Sequence, residues 1–296
     1  MTHLSGHTPV LVPQVLRWLD IKPAVTCIDC TVGRGGHAAA IAAILGEGGL
    51  LIGLDVDPKN LQYAQTRLAG SSCAVRLFHA NFSEIKDVAQ AAGVSSVDAI
   101  LADLGVATNQ LFDEAYGLSF TSDMPLDMRL DPREPRSAAD LVNTLREEEL
   151  ARLLYELAQE RYSRRIARKI VEARRVSPIT TTQRLAQIVR DAIPRRGPRR
   201  IDPATRTFLA LRMCVNRELE NLSALLENAP ALLGCGGRMA VISFQSMEDR
   251  LVKQAFRSAQ AAGMRILTPK PITPTDQEVQ DNPRSRSARM RVIQKL

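Results

Sequence analysis

No stretch of this chain is long and apolar enough to cross a bilayer. Its longest purely apolar run, Ala38 to Leu45, has eight residues, where a membrane-spanning helix needs ~18. The N-terminus also lacks a basic segment followed by an apolar one, so a cytoplasmic rather than a secreted protein is expected. Cysteine is sparse and odd in number: Cys27, Cys30, Cys73, Cys214 and Cys235. In a chain without a leader this points to reduced thiols. Cys27 and Cys30 form a C-x-x-C, but on a predicted strand positions i and i+3 face opposite sides, and no second pair completes a zinc site. His3, His7, His37 and His79 show no ligand spacing on one helix, so no metal is expected. Internal repeats are missing too, which sets aside a solenoid. What is present is 296 residues, 45% of them hydrophobic, enough for one large or two modest domains.

The most informative segment is Ile28-Asp29-Cys30-Thr31-Val32-Gly33-Arg34-Gly35-Gly36-His37, an apolar strand running into a glycine-rich turn and then an apolar helix. Glycines there permit close backbone approach at a strand's C-terminal end. Nineteen residues after Gly36 the next strand ends in Asp55, where a carboxylate can accept from both hydroxyls of a ribose. The spacing is not G-x-G-x-x-G, whose third glycine would fall on Ala38. Asp29 at the mouth of the loop would repel a pyrophosphate, yet would suit a ligand carrying an ammonium and a sulfonium. S-adenosylmethionine is such a ligand and is preferred to NAD; a helix-packing turn without a ligand is the remaining alternative.

Charge is uneven. The net charge is +7, yet residues 129 to 217 hold 21 basic and 11 acidic residues, which makes that segment +10 and the remainder −3. All but one of those basic residues are arginine, which pairs with phosphates bidentately and stacks on bases. A nucleic-acid substrate is expected, against the plainer alternative of solvated helix faces paired with acids such as Glu147 to Glu149 and Glu172.

Strands over Val25 to Cys30, Leu50 to Asp55, Ala74 to His79 and Val97 to Leu104 alternate with helices, a doubly wound α/β pattern. Helical periodicity then takes over in Glu147 to Gln159, Tyr162 to Arg175 and Gln183 to Ile193. The basic turn Pro194 to Arg200 follows, and Pro203 opens a long helix, jointed near Asn216, that should end before Pro230. The chain returns to the sheet with strands at Arg238 to Phe244, Met264 to Leu267 and Met290 to Gln294, and Thr268 to Ser287 reads as a long loop. The expected organisation is a seven-stranded Rossmann-like sheet domain over residues 1–110 and 215–296, interrupted by an all-helical insert over residues 111–214. In an open parallel sheet ligands bind beyond the strand ends, which singles out His37, Asp55, Phe82 and Asp103. Phe82 could pack on an adenine ring or serve the core, and Asp103 could contact a ligand or cap a turn.

Several longer motifs stand in order: Gly33 to His37, Asp103-Leu104-Gly105-Val106, Pro125-Leu126-Asp127-Met128-Arg129, Glu160 to Ala167, Pro203 to Phe208, Ser243 to Arg250 and Asn282-Pro283-Arg284. With these the chain resembles the ribosomal RNA small subunit methyltransferase H family, from His7 to the C-terminus. The resemblance implies a class I methyltransferase sheet with a helical insert, which uses S-adenosylmethionine to methylate N4 of one cytidine in the decoding region of 16S rRNA. It implies cofactor contacts at Gly35, Gly36, His37, Asp55, Phe82, Asp103 and Gln110, with 16S rRNA of the small subunit as partner, no membrane association, and a homodimer left open. The competing class is a non-catalytic rRNA-binding assembly factor with a vestigial pocket. Asp103 is the candidate acceptor for catalysis, and Arg164, Arg165, Arg168, Arg195, Arg196, Arg199 and Arg200 are candidate phosphate contacts. The chain departs from the family pattern at Asp29-Cys30-Thr31-Val32, at Ala107-Thr108, and at Gln245, where the family commonly has a titratable His.

Overall fold

A computed structural model describes residues 9–194 and 201–296. Of these, the residues up to Gly105 and from Leu219 onward form one compact unit, and Val106–Glu218 form another. The chain runs α1 (Val12–Leu19), β1 (Thr26–Asp29), α2 (Gly36–Leu45), β2 (Leu50–Asp55), α3 (Pro58–Leu68), β3 (Ala74–His79), α4 (Ile85–Ala91) and β4 (Val97–Asp103). The helical unit carries α5 (Thr108–Phe112), α6 (Ala138–Thr144), α7 (Glu147–Ala158), α8 (Ser163–Val176), α9 (Thr182–Ala192) and α10 (Thr205–Val215). The sheet unit resumes with α11 (Glu218–Leu232), β5 (Leu233–Ser243), α12 (Ser246–Ala259), β6 (Met264–Ile266), α13 (Asp276–Asp281) and β7 (Arg289–Lys295).

The sheet has seven strands in the order β3-β2-β1-β4-β5-β7-β6. All pairs from β3 to β5 are parallel and β7 is antiparallel to both its neighbours. The order reverses between β1 and β4, so a crevice opens beyond their carboxyl ends, where α/β sheets of this winding bind ligands. Asp29 of β1 lies in register with Gly53 of β2 and Leu101 of β4, which brings the ends of these three strands side by side.

Both sheet faces are covered, and alternation along the strands, broken at the register shift between Val97 and Ala99, divides their residues between two cores. Ile28, Ile52, Ile100 and Val241 point to the side of α4, α11 and α12, with Ile85, Val88, Leu225, Val252 and Phe256. Cys27, Leu51, Leu101 and Ile242 point to the side of α1, α2 and α3, with Val15, Ile41, Leu45 and Leu68. Cys27 and Cys30 fall in these opposite cores, as the strand period requires. Each fully buried Leu or Ile is worth about 1.5–3 kcal/mol of transfer free energy, so the central strands are held from both faces.

The helical unit has its own core, built from Leu150 and Leu154 of α7, Ile166 and Ile170 of α8, Leu185 and Val189 of α9, and Phe208 and Leu211 of α10. Asn216 pins the Pro125 to Arg129 motif there. Its Nδ2 donates to the Met128 carbonyl at 2.8 Å and its Oδ1 accepts from Leu130 at 2.8 Å.

Three expectations need correction. Helix α11 does not stop before Pro230 but continues to Leu232. The proline has no N–H to donate to the Leu226 carbonyl, so the ladder loses a bond in the last turn, and burial of Leu225, Leu226 and Ala229 just before it offsets that loss. Strand β5 begins at Leu233, ahead of Gly236 and Gly237, and a register shift opposite Val97 and Ala99 absorbs the glycines. The segment Thr268 to Ser287 is not a plain loop; it contains α13 and a 3-10 turn over Pro283–Ser287.

Candidate active site at the sheet switch point

Threonine and aspartate side chains tie the strand ends together before any ligand is considered. Thr31, just past β1, accepts the Asp103 amide on its hydroxyl at 2.7 Å. Gly33 donates to Oδ2 of Asp55 at 2.8 Å, and Asp57 donates to Oδ1 of the same carboxylate at 2.8 Å. Asp55 is half-buried, and burial pushes its carboxyl up to about 7 despite the two amides that favour its charge. The Asn60 side chain is a third hydrogen-bond donor to this carboxylate, which leaves it room for a further one.

The glycines serve different purposes. Gly35 caps α2 in the left-handed region at φ 76°, a state that favours glycine. Gly36 does not have positive φ; a Cβ there would meet the ring carbons of Pro9 at 3.0–3.2 Å. Its constraint is space.

His37 follows in the first turn of α2 and is 6% exposed. Its Nε2 lies 3.3 Å from Oδ2 of Asp103, an ion-pair separation without hydrogen-bond alignment. Burial opposes a charge on the ring, but the carboxylates of Asp103, Asp29 and Glu278 outweigh it and hold the His37 pKa above the usual histidine value. Asp29 is 1% exposed. Burial, opposed by the nearby His37 and the Thr31 amide and assisted by Asp103, pushes its carboxyl up to about 6.

Two of the buried carboxylate oxygens, Oδ2 of Asp29 and Oδ1 of Asp103, and Nδ1 of His37, have no hydrogen-bond partner among the described residues. Unpaired buried polar atoms are costly, and such atoms at a sheet switch point are what a polar ligand would satisfy. Carboxylates at the ends of β1, β2 and β4 oppose a polyphosphate and favour a ligand with positive charge and hydroxyl donors. The donor set therefore fits the cationic S-adenosylmethionine expected from the sequence.

The structure places Gly35, Gly36, His37, Asp55 and Asp103 along these adjoining strand ends. Phe82 lies in the 3-10 turn after β3, half-buried against the α4 side of the sheet. Gln110 is in the helical unit, 4% exposed, where its Oε1 accepts the Ala107 amide at 3.0 Å and so caps the short α5. Gln245 caps α12, its amide donating to Glu248 at 2.9 Å. Arg164, Arg165 and Arg168 are exposed on one helix, α8. Arg168 has Glu172 at 4.0 Å, whereas Arg164 and Arg165 have no ion-pair partner among the described residues. Arg195, Arg196, Arg199 and Arg200 lie outside the described residues. Sequence reasoning missed Thr31, Pro9 and Glu278; only the Thr after the strand carried a local signal, a hydroxyl at a turn.

The chain matches the family model described as the MraW methylase family over residues 4–296. A ribosomal RNA small subunit methyltransferase H of Acidobacterium capsulatum is 47% identical, covering 98% of this chain and 98% of that one. Its namesake in Thermotoga neapolitana is 48% identical over 97% of this chain and 95% of that one, and that of Syntrophobacter fumaroxidans is 44% identical over 98% and 96%. With motif order, site geometry and full-length similarity in agreement, the chain belongs to the MraW methylase family.

Proposed function

We propose that this protein uses S-adenosylmethionine to methylate the N4 exocyclic amine of one cytidine in the decoding region of 16S rRNA, within the small ribosomal subunit. The observation that carries the reading is the pair of partnerless oxygens on Asp29 and Asp103 beside His37 at the switch point. The names of the full-length relatives support the rRNA substrate.

When bound, the cofactor supplies an electrophilic methyl group on a sulfonium. The chain's own residues then bind and orient. Asp55 accepts from the ribose hydroxyls with the acceptor capacity left by Gly33, Asp57 and Asn60. Asp29 takes ammonium hydrogens, Asp29 and Asp103 together balance the positive charge, and Phe82 packs on the adenine.

Cytosine N4 is a poor nucleophile because its lone pair is delocalised into the ring. Catalysis by positioning requires the nitrogen about 3 Å from the methyl carbon. An acceptor that holds an amine hydrogen helps localise the lone pair and takes the proton once methylation makes the nitrogen acidic. Asp103 is the candidate acceptor. Residue 245, a glutamine, has no titratable proton near neutrality. A base within folded rRNA must be splayed out to reach such a crevice, and the exposed arginines of α8 supply phosphate contacts that hold the RNA.

The reading is tested by incubating the protein with methyl-labelled S-adenosylmethionine and small subunits that lack the modification. Label in 16S rRNA is expected. Bound cofactor without transfer to this particle or to its assembly precursors overturns the reading in favour of a non-catalytic RNA-binding role.

A further inference from the structure

Residues far apart in the chain meet beside the glycine loop. Leu11 immediately precedes α1 as its N-terminal capping residue; it is fully buried and holds a left-handed backbone at φ 58°, a state that costs a non-glycine residue energy. The first turn of α1 carries no acidic residue, and no local side chain caps it. Instead the Leu11 amide donates to Oε1 of Glu278 at 2.7 Å, across 267 residues of sequence. Glu278 is itself placed by α13, where Thr275 Oγ1 accepts its amide at 3.2 Å. The carboxylate thus supplies from the C-terminal segment the negative charge that a helix N-terminus favours.

Two residues before Leu11, the Pro9 ring fills the space a Gly36 side chain would occupy, at 3.0–3.2 Å. Gly36 opens α2 and precedes His37. The Glu278 charge reaches His37 too, where it adds to that of Asp103 and Asp29. The path is Glu278 to Leu11, Leu11 to Pro9 along the backbone, and Pro9 to Gly36 by contact.

We propose that Glu278 is a positioning residue for the cofactor pocket: by holding the Leu11 amide it seats Pro9 against Gly36 and fixes the glycine loop for its ligand. The ligand half of this statement rests on the S-adenosylmethionine reading above, whereas the clip itself is a property of the unliganded protein.

Two variants separate the hydrogen bond from the charge. Glu278→Gln keeps an oxygen that can accept the Leu11 amide; Glu278→Ala removes both. In hydrogen exchange on the ligand-free protein, Glu278→Ala is expected to speed exchange at Leu11 and at residues 33–37, while Glu278→Gln stays near wild type. By calorimetry, Glu278→Ala is expected to raise the Kd for S-adenosylmethionine about 10-fold, with kcat at saturating cofactor nearly unchanged. Pro9→Gly, which leaves Glu278 in place, is expected to loosen the same loop and serves if Glu278→Ala fails to fold. Unchanged loop exchange in Glu278→Ala or in Pro9→Gly overturns the proposal, as does Glu278→Gln behaving like Glu278→Ala. A wild-type protein that binds no S-adenosylmethionine would sink the cofactor reading, and the exchange measurement would still decide the clip.

Discussion

Gly33 donates its amide hydrogen to Oδ2 of Asp55 across 2.8 Å, so the loop after β1 is tied to the carboxylate that ends β2. The other oxygen takes the Asp57 amide. An asparagine cannot accept on both arms, because its NH2 would face a donor. Asp55→Asn is therefore expected to weaken S-adenosylmethionine binding about 10- to 100-fold, the loss of one or two charge-assisted hydrogen bonds, as read by calorimetry. Since burial holds the Asp55 carboxyl at about 7 and the ligand prefers the ionised form, wild-type affinity should fall as pH drops below 7, by at most about 10-fold per pH unit for this group. Affinity flat from pH 8 to 5 would contradict the assignment.

Asp29 should trade stability for binding. Its carboxyl is raised to about 6 when folded, so the folded state resists its ionisation and the wild type loses stability as pH rises from about 4 to about 6. Asp29→Asn keeps an oxygen for the Thr31 amide and carries no charge. The variant should be more stable than wild type by about 1–2 kcal/mol at pH 8, an advantage that vanishes near pH 4, while cofactor affinity drops. Denaturant titrations at the two pH values check this.

Gly36→Ala should be harmful through Pro9 rather than through the backbone. The added methyl meets the proline ring, and overpacking of this kind costs about 1–3 kcal/mol. Combining it with Pro9→Ala, which shortens the opposing side chain, should recover part of the lost stability and affinity. A double variant no better than Gly36→Ala alone would place the strain elsewhere.

The exposed arginines of α8 should act on RNA and not on the small ligand. Replacing Arg164, Arg165 and Arg168 with glutamine is expected to weaken rRNA binding and to reduce the slope of log K against log salt by about 0.7–0.9 for each phosphate that is no longer neutralised. S-adenosylmethionine affinity should be unchanged. An unaltered salt slope would make these arginines a solvated helix face.

Much of the site was legible because sheet chemistry is local. A β-branched run, glycines and a strand-ending acid are all visible along the sequence, so Gly35, Asp55 and Asp103 could be placed at strand ends before the sheet order was known. The role of Gly36 was not legible, since it depends on Pro9 and not on its own backbone. Neither was the Glu278 cap on α1, which no capping pattern spaced by three residues can reveal. Pro230 was misread because local propensity marked a stop that the buried Leu225 and Leu226 overrode. The Thr268 to Ser287 segment reads as loop because its proline and charge content hide a short helix capped at Thr275 and the 3-10 turn that follows it.

The most direct test of the central claim is nucleoside mass spectrometry of 16S rRNA from small subunits lacking the modification, after incubation with the protein and methyl-labelled S-adenosylmethionine. The account predicts labelled N4-methylcytidine at one position in the decoding region, lost in Asp29→Asn at limiting cofactor. Label on cytosine C5, on a ribose hydroxyl or on another base would contradict it.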